Sequence, residues 1–161
     1  DAIVGSMTIT DERAEVVDFV GPYYTTGRAI FSKPGSGIET LADLDGKKIG
    51  VTLGETHEEW AKDKGYTVRT YKGLPELIME LENGRVDAIV NDSIAAILAL
   101  QENGYTYTSF DDPDSAPFGA GIAIRQGNPE LKAAMQAALD EMMADGTYLA
   151  IAEEWIGEDI R

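Results

Sequence analysis

No cysteine occurs in the sequence, which excludes disulfides, thiolate metal sites and cysteine nucleophiles while remaining compatible with an oxidising compartment. Histidine is nearly absent as well. His57 is the single one, and no Ser-His-Asp set, metal-ligand cluster or glycine-rich phosphate loop is visible. Positive charge is scarce, with 13 Lys and Arg against 29 Asp and Glu and a net charge of −16. Such a chain repels phosphate backbones and anionic membrane surfaces, so nucleic acid is not expected as a partner. No apolar run approaches the roughly 20 residues of a membrane-spanning helix; no secretory signal opens the sequence, which says little because mature forms lack one too. What remains is a globular composition, 43% hydrophobic over 161 residues, enough to bury a core as one domain or two small ones.

The most informative stretch is the start. A short apolar strand, Ala2-Ile3-Val4, leads through Gly5-Ser6-Met7-Thr8 into an acidic helix predicted over residues 11–17. Thr10 is placed to cap that helix, and Arg13 lies in its first turn. A hydroxyl-lined turn with a guanidinium beside helix N–H donors suits a carboxylate; a capped surface helix with a solvated Arg is the plain alternative. The tetrapeptide Asp-Ala-Ile-Val recurs at Asp87, again followed by a polar turn, Asn91-Asp92-Ser93, and a helix. Two similar α/β units are expected, each delivering a polar turn from the end of a strand, where ligands of open α/β sheets bind.

Further along, Gly21-Pro22 signals a turn and Arg28-Ala29-Ile30-Phe31 a strand. Lys48-Ile49-Gly50-Val51-Thr52 is another strand, and Thr56 with Glu59 has capping-box spacing for a helix over about residues 57–64. Residues 67–71 alternate as a strand. Leu74, Leu77, Ile78 and Leu81 then share a helical face that ends at Asn83-Gly84. After the strand at residues 87–90, Asp92 is placed to cap an apolar helix over residues 94–100. An extended, Gly-rich segment at residues 118–124 precedes two helices, over residues 129–143 and 147–155, the first with Leu131, Met135, Leu139 and Met142 inward. Strand alternating with helix from residue 28 to 100 argues for a parallel-rich α/β sheet. The segments flanking this complete unit are short of material for a second one, as if its amino-terminal half were missing.

These residues carry a specific resemblance. Residues 1–13, then Val17-Asp18-Phe19 and Gly21-Pro22-Tyr23-Tyr24, closely resemble extracellular solute-binding proteins of family 3, the polar amino-acid receptors of ABC importers. The likeness continues through Leu41-Ala42-Asp43-Leu44-Asp45-Gly46-Lys47-Lys48-Ile49-Gly50-Val51, Gly84-Arg85-Val86-Asp87-Ala88-Ile89-Val90 and Ala144-Asp145-Gly146-Thr147-Tyr148, with Trp155 near the end. It implies an α/β, type II periplasmic-binding-protein-like fold with two hinge strands near residues 25–27 and 118–120. A partial lobe one would comprise residues 1–26 and 119–161, and lobe two residues 27–118.

The resemblance further implies a periplasmic or membrane-tethered binding protein, without catalytic residues, metal or cofactor, that closes on one free amino acid and serves an inner-membrane ABC permease. By the same resemblance Arg13 grips the α-carboxylate, Ser6 and Thr8 add hydroxyl or backbone contacts, and Thr56 offers its N–H and hydroxyl. Asp92 takes the α-ammonium, its alternative being a plain helix cap. Both poles of a buried zwitterion need answering, because an unpaired buried charge costs several kcal/mol. Glu55 stands where the family commonly has a small or hydroxylated residue; it favours a cationic side chain or else points to solvent. Thr52 is a further side-chain candidate. With lobe one incomplete, the terminal helices are expected to expose Leu131, Leu139 and Met142 and to drive self-association or exchange of elements between chains. Two rival readings are a cyclohexadienyl-dehydratase-like enzyme, for which His57 reads as solvated rather than catalytic, and the ligand-sensing domain of a receptor or regulatory module.

Overall fold

The computed structural model describes residues 1–157 and 159–161. They form two compact units, one made of Asp1–Thr26 with Pro117–Arg161, the other of Gly27–Ala116.

The first unit contains β1 (Ala2–Ile3), α1 (Asp11–Ala14), β2 (Val17–Thr26), β8 (Phe118–Arg125), α5 (Pro129–Asp145) and α6 (Thr147–Trp155). Its sheet has the order β1-β8-β2, with both pairings antiparallel. The first helix is one turn rather than the two expected. Val16-Val17 follows it, and β-branched side chains favour the extended chain that Val17 takes in pairing with Arg125. The Gly21-Pro22 pair, expected as a turn, lies inside β2, where the register with β8 shifts between Val20 and Tyr24. There the Gly21 N–H donates to Oε1 of Gln136 on α5 at 3.0 Å. Asn128 caps α5 by accepting from the Leu131 N–H at 3.0 Å, and Gly146, in the left-handed region at φ 87°, ends α5 and starts α6.

Val20, Ile124 and Leu139 are buried at the centre of this unit, with Leu131, Met135, Met143 and Tyr148 half-buried around them. This corrects the expectation that the terminal helices lay bare their apolar face: Leu139 is buried, and Leu131 and Met142 are half-buried. The stripe Leu131, Met135, Leu139 and Met143 along α5 packs against Val20 of β2 and Ile124 of β8. The large apolar side chains left exposed in this unit are instead Ile3, Val4, Val16, Ile151 and Trp155.

The second unit contains β3 (Arg28–Ser32), a 3-10 turn at Leu41–Leu44, β4 (Lys48–Thr52), α2 (Thr56–Asp63), β5 (Thr67–Tyr71), α3 (Leu74–Glu82), β6 (Ala88–Asp92), α4 (Ser93–Glu102) and β7 (Thr108–Asp111). The sheet order is β5-β4-β6-β3-β7. Pairings of β4 with β5 and β6 are parallel, as the strand–helix alternation predicts; β3 pairs antiparallel with both β6 and β7, so the sheet is mixed. One face packs Phe31, Leu77, Ile78, Leu81, Ile89 and Leu100, and the other packs Ile30, Leu44, Ile49, Val51, Ala61 and Val90. Each fully buried Val, Leu, Ile or Phe side chain among these is worth about 1.5–3 kcal/mol. Burial on both faces explains why β6 reads Ala-Ile-Val without alternation. Gly50 is there for closeness: a Cβ would stand 2.8 Å from Cδ1 of Leu77 on α3.

The two Asp-Ala-Ile-Val copies therefore have different fates. In β6 the strand is central and buried throughout, whereas β1 is an exposed edge.

Candidate functional site

In the first unit, the turn at residues 5–8 is stitched to β8. The Ile9 N–H donates to the Gly119 carbonyl at 3.0 Å and the Gly121 N–H to the Met7 carbonyl at 2.9 Å. Gly119 and Gly121 allow that approach, since a Cβ would meet Pro22 at 2.7 Å and Ile9 at 2.7 Å respectively. Thr10 caps α1 as expected, accepting from the Arg13 N–H at 3.2 Å. Arg13 turns back over the turn and donates through Nη1 to the Thr8 carbonyl at 2.9 Å. Ser6 is exposed, with Thr8 and Arg13 half-buried, so the structure brings the guanidinium and this hydroxyl-bearing turn together. The contribution expected from the helix end is small, because α1 has only four residues and its aligned dipoles are few.

In the second unit, the carboxyl ends of the parallel strands β4 and β6 deliver Thr52 and Asp92. Thr52 is buried, and its Oγ1 has no hydrogen-bond partner among the described residues. Past Thr52 the chain turns at Leu53-Gly54 into α2, whose cap position is Glu55. The predicted capping box at Thr56 and Glu59 does not form; Thr56 is the first helical residue, and Glu58 does the work of tying the turn. Its Oε2 accepts from the Gly54 N–H at 2.7 Å and its Oε1 from Lys62 Nζ at 2.5 Å. The Lys62 bond first, then that backbone bond, hold the Glu58 carboxyl below its ordinary pKa. Glu55 is half-buried, and its Oε2 accepts from Asn91 Nδ2 at 3.4 Å. It is thus tied to the end of β6 rather than left in solvent. Thr56, as the opening residue of α2, has a backbone N–H outside the helical ladder.

Asp92 holds the cap position of α4 by its backbone, yet its side chain makes no cap hydrogen bond. The side chain is 6% exposed and meets His57 instead, Oδ1 to Nε2, at 3.0 Å. His57, expected in solvent, is buried. Its other ring nitrogen, Nδ1, faces Arg28 Nε at 3.3 Å, and Arg28 Nη1 donates to Asp112 Oδ2 at 2.8 Å. The Arg28 guanidinium also lies over the Trp60 ring, 4.5 Å from its centroid. A guanidinium can only donate, so Nδ1 accepts and carries no proton; Nε2 then carries the ring proton and donates to Asp92. In this chain of groups Arg28 balances Asp112, and Asp92 is answered by a neutral imidazole. Among the described residues no Lys or Arg side chain pairs with Asp92.

His57, Arg28, Asn91 and Asp112 are the residues that reading the sequence missed. Adjacency of His57 to Thr56 and of Asn91 to Asp92 were available signals. Arg28 and Asp112 had none, because they lie 84 positions apart in the chain.

Comparison with known proteins settles the family. Residues 1–158 match the bacterial extracellular solute-binding proteins, family 3. The chain belongs to this family. Its fold is accordingly the α/β, type II periplasmic-binding-protein class, as the resemblance implied. The L-cystine-binding protein TcyJ of Escherichia coli (strain K12) is 38% identical over 164 residues, which cover 99% of this chain and 61% of TcyJ. The L-arginine-binding protein of Pseudomonas aeruginosa is 37% identical over 171 residues, covering 99% of this chain and 66% of that protein. This family member thus spans less than two thirds of the length of these curated relatives. Among solved structures, an ancestral arginine-binding protein bound to glutamine superposes with a TM-score of 0.86 at 41% identity, over 98% of this chain and 72% of that one. The arginine-, lysine-, histidine-binding protein ArtJ of Geobacillus stearothermophilus gives a TM-score of 0.87 at 32% identity, over 99% of this chain and 71% of ArtJ.

Proposed function

We propose that this chain is the amino-acid-binding part of an ABC importer's periplasmic receptor, taking one free L-amino acid and serving an inner-membrane permease. The observation that carries this reading is Asp92: a buried carboxylate, at the end of a strand, answered by a neutral N–H. Such a group has room for one more cation in its charge balance, and the α-ammonium of an amino acid supplies it. Arg13, with Ser6 and Thr8, answers the α-carboxylate through a guanidinium fork and the turn's polar groups; Thr56 adds its N–H and hydroxyl. Glu55, which accepts from Asn91 Nδ2, and Thr52, buried at the end of β4, meet the ligand side chain. A half-buried carboxylate there favours a cationic ligand, in line with relatives named for binding arginine, lysine and histidine. The reading is binding without chemistry, since both ring nitrogens of the lone histidine are engaged by the protein's own charged groups.

Thermal-shift titration with L-arginine, L-lysine, L-histidine, L-glutamine and L-cystine tests it. A rise in melting temperature with at least one of them is expected, and 5-guanidinopentanoate, which lacks the α-ammonium, should give none. Silence from every α-amino acid would overturn the reading, and turnover of prephenate would replace it with an enzyme.

The same proposal includes association of two copies through the exposed β1 edge. β1 pairs with β8 alone among the strands, Ile3 and Val4 are exposed, and a groove of about 230 Å³ runs beside it between Asp1 and Arg125. With a net charge of −16 two copies repel, so salt should strengthen the association. Sedimentation velocity that finds only monomer at low and high salt would refute this part alone.

A further inference from the structure

We propose that His57 is a positioning residue for Asp92: Arg28 locks its tautomer, and the resulting Nε2–H holds the Asp92 carboxylate ready for a ligand ammonium. This rests on the reading of Asp92 given above and adds the residues that set it.

Four groups stand in line. Asp112 accepts from Arg28 Nη1 at 2.8 Å, Arg28 Nε donates to His57 Nδ1 at 3.3 Å, and His57 Nε2 meets Asp92 Oδ1 at 3.0 Å. The line is anchored at its Asp112 end. Asp112 is buried, its own N–H donates to the Arg28 carbonyl at 2.9 Å, and its Oδ1 accepts from the Asp114 N–H at 3.0 Å. The ring of Trp60, from the same helix as His57, lies 4.5 Å from the guanidinium carbon and restricts where it can go. Arg28 is also the register partner of Asp92 across the β3–β6 pairing, yet its guanidinium serves Asp112 and the imidazole.

That diversion avoids two worse arrangements. A direct Arg28–Asp92 pair would neutralise Asp92 and leave nothing for an ammonium. An unanswered Asp92 would be costly to keep ionised in a buried place. The imidazole between them is a compromise: it orients the carboxylate with one neutral hydrogen bond and leaves its charge to the ligand. Tautomer matters because with the proton on Nδ1 the ring would present a lone pair to Asp92 and repel it.

Because His57 is the single histidine, its ring nitrogens give unambiguous NMR signals in the intact chain. Long-range nitrogen–proton spectra at neutral pH should show the neutral tautomer with the proton on Nε2. Asp92→Asn should move the Nε2 signal more than the Nδ1 signal. A proton on Nδ1, or a ring indifferent to Asp92→Asn, would overturn the proposal. In binding, His57→Gln retains a donor toward Asp92 and an acceptor toward Arg28, so affinity for L-arginine should stay within about three-fold, whereas His57→Leu should lose at least about ten-fold. Equal losses in the two variants would mean that ring packing, not the hydrogen bond, is what counts, and would also overturn it. If His57→Leu fails to fold, the His57→Gln affinity and the ring spectra carry the decision. If wild-type protein shifts with no amino acid, the functional reading fails, and the spectra still decide whether His57 holds Asp92.

Discussion

Arg13 donates from Nη1 to the carbonyl of Thr8, five residues earlier, across 2.9 Å. That bond orients the guanidinium plane against the turn that carries Ser6 and Thr8. A lysine at this place keeps the charge but loses the planar fork.

Arg13→Lys should therefore weaken amino-acid binding by about ten-fold and Arg13→Ala by more, each lost charge-assisted bond being worth about 1.5–3 kcal/mol. Stability should change by about 1 kcal/mol or less, since α1 is one turn long and lies at the surface. Calorimetric titration and chemical denaturation measure the two effects separately. Wild-type affinity in Arg13→Ala would remove this residue from the site.

Glu55→Gln keeps an acceptor for Asn91 Nδ2 and removes the negative charge. Affinity for L-arginine and L-lysine should fall by about ten-fold, while that for L-glutamine stays level, because only the cationic ligands lose a charge partner. Competition between arginine and glutamine reads the ratio directly. A parallel drop for both ligands would show Glu55 to be structural.

The Glu58 carboxyl links Lys62 and the Gly54 N–H, and these bonds hold it below its ordinary 4.5. The folded state binds this proton less tightly than the unfolded one. Its stabilisation is therefore fully present above 4.5 and is lost as the pH falls below that value through the folded pKa. Glu58→Gln should cost about 1 kcal/mol at neutral pH, and the difference from wild type should shrink on acidification. Urea midpoints across the acid range measure this; a constant difference would rule out the linkage.

Gly50→Ala places a methyl group 2.8 Å from Leu77 Cδ1 and 3.3 Å from Ile89 Cγ2, in a region packed on every side. A loss of about 1–3 kcal/mol is expected from overpacking. Gly54 sits at φ 77° with open space around it, so Gly54→Ala should cost only about 1 kcal/mol, from backbone strain alone. Denaturation midpoints that reverse this order would contradict the packing of α3 on β4.

Much of the fold was legible because its signals are local. The spacing of Leu77, Ile78 and Leu81 marks the buried stripe of α3, Thr10 caps α1, and the bounds expected for α6 are those observed. Local signals failed where strand pairing competed: Val17 joined β2 instead of α1, and Gly21-Pro22 was absorbed into a long strand. They also failed for burial. Ala-Ile-Val is one string of letters, buried in β6 at residues 88–90 and exposed at residues 2–4, since burial depends on how many neighbours a strand has.

The candidate site divides in the same way. The turn with Arg13 and the polar turn with Asp92 could be read from strand–turn–helix grammar, which spans only a few residues; Ser6, Thr8, Thr52, Glu55 and Thr56 became candidates through the family resemblance. The network around Asp92 was not. Arg28 reaches Asp112 across 84 positions, and His57 reaches Asp92 across 35. Which strands neighbour each other, and in which direction β3 runs, decided those meetings. Side-chain charge and hydrogen-bonding capacity are written in the order of residues, but their partners are chosen by distance, and distance exists only once the sheet has formed.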